Sequence, residues 1–87
     1  MFGQSQEALR AETDRLHGAL AHAGWTATEC GLIAPITLRI RELARAQRAV
    51  ILGHSYQTPD ILFGVSDYRG DSLGLSRQAA ATAAEVI

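Results

Sequence analysis

Residues 49–53, Ala-Val-Ile-Leu-Gly, form an unbroken apolar run that ends directly in His54, Ser55, Tyr56 and Gln57. Five residues are too few for a helix, and no polar residue alternates among them, which is the pattern of a strand covered on both faces of a parallel sheet. Thr58, Pro59 and Asp60 follow at once. They supply a side chain able to cap a helix, a proline suited to the first helical position and an acid at the positive end of the helix dipole. Ile61, Leu62 and Val65 give that helix an apolar side. A strand feeding straight into a helix predicts an α/β fold, and in such sheets ligands bind beyond the carboxyl ends of the strands, here at residues 54–57.

Around this unit the spacing predicts two N-terminal helices. Residues 5–23 carry Ser5 as a cap, an apolar stripe at Leu9, Leu16, Leu20 and Ala23, and Gly24 as the stop. An irregular stretch follows and holds Cys30. A second helix is expected over residues 35–47, with Pro35 in its first turn, Ile36, Ile40, Leu43 and Ala44 on one side, and Arg41, Arg45 and Arg48 as a solvated opposite face. Residues 66–69 read as loop or short strand. Asp71 or Ser72 then caps a further helix with a small-residue face, and Glu85, Val86 and Ile87 open another buried strand. The expected architecture is an incomplete three-layer αβα, Rossmann-like domain with parallel strands over residues 49–87, preceded by a helical lead-in over residues 1–48.

Composition excludes several function classes. With 47% apolar and 20% charged residues the chain is globular rather than disordered. A formal charge of −1, with all eight basic residues arginine, gives no concentrated basic surface, so Arg39, Arg41, Arg45 and Arg48 make a poor nucleic-acid footprint and no nucleic-acid partner is expected. A single cysteine allows no internal disulfide and no Cys-based zinc site. No apolar run reaches the roughly 18 residues of a membrane span, and Met1–Arg10 lacks the form of a secretory signal, so a cytoplasmic protein without a membrane partner is expected. His17 and His22, five residues apart, do not share a helix face and form no metal pair; Arg69-Gly70-Asp71 spells an adhesion tripeptide that the expected compartment leaves without meaning.

The chemistry concentrates at the strand end. His54 brings an imidazole that titrates near neutral pH, and Tyr56 a phenol able to donate a proton or polarise a carbonyl. The helix starts at Thr58 and Ser72 both present free backbone N–H groups, and both open at one edge if the layer is doubly wound. Ser72 can add its hydroxyl there while it caps, against the charge of Asp71. A small, anionic, oxygen-rich metabolite fits such a site. Ordinary helix caps and ordinary loop polarity explain the same residues without a ligand.

Residues 49–87, AVILGHSYQTPDILFGVSDYRGDSLGLSRQAAATAAEVI, resemble the N-terminal part of quinolinate synthases: a strand leading into His-x-Tyr-Gln, a Pro-acid pair, Gly-Asp-Ser-Leu, then an Ala-rich helix. Ser55 and Ser66 depart from the usual Asn and Ala. The resemblance implies an enzyme of de novo NAD (pyridine nucleotide) biosynthesis, a transferase that condenses iminosuccinate with dihydroxyacetone phosphate to quinolinate. It implies that His54 and Ser72 hold substrate carboxylates and that Tyr56 assists proton transfer or carbonyl polarisation.

It also implies a [4Fe-4S] cluster on three cysteines, one iron acting as a Lewis acid. The first of those cysteines would lie just past Ile87; Cys30 matches none, and no metal ligand is expected within this chain. The chain is therefore expected to be the first part of the first of three α/β domains, a fragment inactive by itself. The alternative is a small non-catalytic module that binds an anion or a partner.

Overall fold

The computed structural model describes residues 4–87. Ser5 caps α1 (Gln6–Leu20), its Oγ accepting from the backbone N–H of Ala8 at 3.0 Å. A single 3₁₀ turn, Ala21–Ala23, continues α1 to Gly24, whose φ of +87° ends it in the left-handed region that glycine enters without steric cost. The expected helix and stop over residues 5–24 are thus both present.

The second helix starts eight residues earlier than its proline suggests. α2 (Ala27–Ala46) opens with a capping box: Thr26 Oγ1 accepts from the Glu29 backbone at 3.1 Å, and Glu29 Oε1 accepts from the Thr26 backbone at 2.9 Å. Those bonds also hold the Glu29 carboxyl below the usual carboxylate range, the backbone bond contributing most. Pro35 therefore lies inside the helix. Interior proline costs about 3 kcal/mol, and the capping box together with burial of Cys30, Ala34 and Thr37 on this helix offsets it. Cys30 belongs to α2 and is fully buried, and burial pushes its thiol up, with the Glu29 charge adding to the effect.

Leu16, Leu20, Cys30 and Ala34 form the core between α1 and α2, with Ala19, Trp25, Ile33 and Phe63 packed against it. Glu12 lies on the same stripe of α1, one turn before Leu16, and is only 2% exposed. Arg15 grips its carboxylate through two bonds of 2.9 Å, Thr37 Oγ1 donates at 2.6 Å, and Arg41 Nη1 closes the set. Arg15 also donates to the carbonyl of Gly64 at 2.6 Å. One carboxylate thereby ties α1 to α2, and through Arg15 to α3 (Pro59–Gly64). Burial opposes its ionisation most strongly, yet the hydrogen bonds from Arg15 and Thr37 and the charges of Arg15 and Arg41 outweigh that and hold the carboxyl below its ordinary value.

The arginine face is accordingly less solvated than its spacing suggests. Arg41 is consumed by Glu12, while Arg48 sits at a left-handed turn (φ +51°) after α2 and pairs with Glu85 at 3.4 Å.

β1 (Leu52–His54) pairs in parallel with β2 (Tyr68–Gly70), in the register Leu52↔Tyr68, Gly53↔Arg69, His54↔Gly70. Residues 66–69 thus resolve into the approach and the first two residues of a strand. On the other side, Ala49 bridges Val86 in parallel, and Val50 N–H donates to Val86 O at 2.8 Å. Residues 48 and 50 direct their backbone groups to residues 85–86, and residues 51 and 55 direct theirs to β2 and its approach. The apolar run, which leads into β1, is therefore bonded on both sides, to β2 in a two-stranded sheet and to residues 85–86 through an isolated bridge. The expected strand at residues 85–87 is present as that single bridge, with Val86 and Ile87 exposed.

A Cβ on Gly53 would point at Ser66 and at Leu62 of α3, whereas its neighbour His54 reaches Ser72, the first residue of α4 (Ser72–Ala81). Side chains alternate along a strand, so α3 and α4 lie on opposite faces, as right-handed crossovers to either side of a central strand require. This is the incomplete α/β domain expected from the sequence. Among the described residues no helix is long and apolar enough to cross a membrane.

Replacing Glu12 by Ala should cost about 2 kcal/mol in urea unfolding near neutral pH, less than a fully buried pair because both guanidiniums keep about a third of their surface in water. The wild-type contribution is complete above the unfolded carboxyl's titration and lost as pH falls through the lower folded value. The Glu12→Ala variant should lose that part of the acid slope in the same measurement.

Candidate functional site

His54 ends β1, and the ladder carries one bond further, Ser55 N–H donating to Gly70 O at 2.8 Å. The chain then turns tightly, with Gln57 N–H donating to His54 O at 2.9 Å, and enters α3 at Thr58. Thr58 occupies the cap position, but its hydroxyl donates to Asp60 instead of accepting from the helix backbone; Pro59 and Asp60 sit in the first turn as expected. Because β1 and β2 are adjacent and parallel, the starts of α3 and α4 open at one edge of the sheet.

At that edge three of the predicted residues meet. His54 Nε2 stands 3.1 Å from Ser72 Oγ. Tyr56 stacks on the imidazole, with ring centroids 4.7 Å apart and planes 25° off parallel, and its backbone N–H donates to His54 Nδ1 at 3.3 Å. Tyr56 is 91% exposed, so one face of its ring and its hydroxyl meet solvent.

The cap of α4 falls to one of the two residues between which spacing left it open. Asp71 Oδ1 takes the Gly74 N–H at 2.8 Å, which makes Asp71 the N-cap and frees the Ser72 hydroxyl for His54. Ser76 Oγ, one turn on, donates to Ser72 O at 2.8 Å and steadies that first turn. The site is an open ledge. Two clefts lie elsewhere, one of about 180 Å³ lined by Arg41, Arg45 and Asp67 among others, and one of about 210 Å³ between Ile33, Ile36, Ile40 and Ile61; neither includes His54, Tyr56 or Ser72.

A profile of the quinolinate synthetase A protein family matches residues 38–87, more than half of the sequence. The chain belongs to this family. It is 45% identical over 62 residues to the quinolinate synthase of Caulobacter vibrioides strain NA1000, covering 71% of this chain and 17% of that protein. Against the Gloeothece citriformis quinolinate synthase identity is 65% over 48 residues, 55% of this chain and 15% of the relative, and against that of Agrobacterium fabrum it is 43% over 74 residues, 85% and 20%. The chain thus spans about a fifth or less of the length of these relatives. No solved structure matches it. An alignment of 74 residues out of 87 reaches back across α2 into α1, so the family likeness extends beyond residues 49–87 into the helical lead-in.

The described residues contain one cysteine, buried in α2, and no group of three or more His, Cys, Asp or Glu side chains able to hold a metal. They do not fit an iron–sulfur cluster, which requires several thiolates. What these family residues can do lies in the side chains at the sheet edge.

Sequence patterning missed what holds His54 in place. Gly53 lies against Ser66, and an added Cβ would stand 2.1 Å from its Oγ and 3.2 Å from Leu62 Cδ2. The only signal was a glycine within an apolar run, which marks close approach of another element. Gly53→Ala should destabilise the chain by about 1–3 kcal/mol in thermal or urea unfolding. Adding Ser66→Ala, which removes the nearest atom, should recover part of that loss.

Proposed function

We propose that the intact protein is a quinolinate synthase, a cytoplasmic transferase of de novo NAD biosynthesis that joins iminosuccinate to dihydroxyacetone phosphate with loss of water and phosphate. In this reading His54 and Ser72 hold a carboxylate of iminosuccinate, and Tyr56 assists proton transfer or polarises a carbonyl on the exposed side of the ledge. The 87 residues are inactive alone, and the [4Fe-4S] cluster implied by the family rests on cysteines outside them. Its partners are small anionic metabolites, with no nucleic acid or membrane involved.

The observation that carries the proposal is the contact between His54 Nε2 and Ser72 Oγ at the mouth of α4 beside Tyr56, inside the span that the family profile matches. Imidazole, hydroxyl and helix N-terminus are all donors or partial positive charge, suited to a carboxylate. Asp71 works against this by its charge, but its near oxygen is already engaged with Gly74 N–H.

Variants of the full-length protein test the assignment. His54→Ala and Ser72→Ala should each raise the KM for iminosuccinate roughly tenfold or more, with the iron–sulfur absorbance unchanged. Tyr56→Phe should lower kcat about 10²-fold with little change in KM. Loss of the absorbance in the His54 and Ser72 variants would make these residues fold supports, and an unchanged KM would favour a non-catalytic anion-binding or interaction module.

A further inference from the structure

β1 and β2 are three residues long each, so few bonds decide how one strand lies against the other. The bonds of a parallel ladder are slanted: a residue donates to the carbonyl one place before its partner and accepts from the N–H one place after it. Ser55 N–H follows this rule with Gly70 O at 2.8 Å, and Ile51 O follows it with Tyr68 N–H at 3.3 Å. By the same register Ile51 N–H belongs to the carbonyl of Ser66. It goes elsewhere. Asp67 Oδ2 accepts it at 2.8 Å, and the Asp67 backbone N–H donates to Ile51 O, also at 2.8 Å. Ser66 is drawn back toward α3, its N–H donating to Ile61 O at 3.1 Å and its hydroxyl to the same carbonyl at 2.9 Å.

Asp67 therefore grips Ile51 twice, once with its side chain and once with its backbone, and closes a ring between the two strands. An ionised acceptor makes the side-chain bond stronger than the strand carbonyl it replaces. Asp67 is exposed, so water can take its place on the Ile51 N–H, but water does not join one strand to the other. We propose that Asp67 is a positioning residue: its carboxylate stands in for the missing strand carbonyl, locks β1 to β2 where they begin, and thereby sets how His54 at the far end of β1 meets Ser72, which β2 delivers. Asp67 itself touches no ligand, because it lies opposite Ile51, three residues or about 10 Å of strand from His54. The role asks for an oxygen acceptor and not for a charge. It rests on the reading of the ledge as a carboxylate site and adds to it the part that fixes the ledge from the opposite edge of the sheet.

In the full-length protein, Asp67→Ala should raise the KM for iminosuccinate about fivefold, with the iron–sulfur absorbance unchanged. Asp67→Asn, whose amide oxygen still accepts from Ile51 N–H, should stay within about twofold of wild type. With Ser72 already replaced by Ala, Asp67→Ala should add less than about twofold, whereas distant residues that act independently give effects that multiply. Multiplying effects, or an Asn variant as impaired as the Ala variant, overturn the proposal. A second arm needs no substrate. In the labelled 87-residue chain a scalar coupling across the hydrogen bond should join Ile51 ¹⁵N to Asp67 ¹³Cγ, and Asp67→Ala should weaken the Overhauser contact between His54 and Ser72 while Asp67→Asn keeps it. A missing coupling, or a contact that the Ala variant leaves untouched, overturns the proposal. Should Asp67→Ala not fold, the wild-type coupling and the KM of Asp67→Asn decide. If the spectra behave as expected while neither Ser72→Ala nor Asp67→Ala moves the KM, the carboxylate reading of the ledge fails and the positioning role stands, so the two failures are separable.

Discussion

The position of one strand governs the rest of this molecule. Between Arg48 and Ser55 the backbone is bonded on one side to residues 85–86 and on the other to β2 and its approach, with α3 against one face and α4 reaching the other. Backbone groups taken out of water have to be paired, and in a segment bordered on both sides every slip of register would unpair several at once. The alternation of side chains then leaves no choice about His54. Gly53 must face Ser66 because no larger residue fits there, so His54 faces α4. Its contact with Ser72 is a consequence of strand pairing and sterics, held by atoms that never touch a ligand.

The second constraint lies in the helical lead-in. Glu12 occupies a position that the helical period assigns to the core, and its burial holds only because three partners satisfy it. Since Arg15 extends from that carboxylate to the end of α3, the lead-in helices and the first crossover helix of the sheet form one packed body. The alignment with the Agrobacterium relative reaches into α1, so the likeness in sequence takes in part of that lead-in.

Much of this was legible in the sequence where local chemistry decides structure. Ser5, Pro59 and Asp60 act at helix ends as their side chains dictate, Gly24 as its lack of one allows, and the five-residue apolar run leads into β1 and is bonded on both sides. His54, Tyr56 and Ser72 could be named from their order along the chain, because parallel strands deliver successive helix starts to one edge. What escaped was set by competition or by distance. Pro35 signals a helix start, but Thr26 and Glu29 form a stronger one nine residues before it. Thr58 looked like a cap and gave its hydroxyl to Asp60, and of the two caps the spacing allowed for α4 only the structure selects Asp71. Glu12 was discoverable in principle, as a charge in line with Leu16 and Leu20, yet Arg41 lies 29 residues away and no local pattern names it.

The most direct test of this account is the proximity of His54 and Ser72 in solution, read as nuclear Overhauser contacts between the imidazole protons and the Ser72 β protons in the labelled chain. The account predicts a clear contact, accompanied by contacts from the imidazole to the Tyr56 ring. An imidazole with no contact to Ser72, in a chain whose β1 and β2 amides are paired, would contradict it.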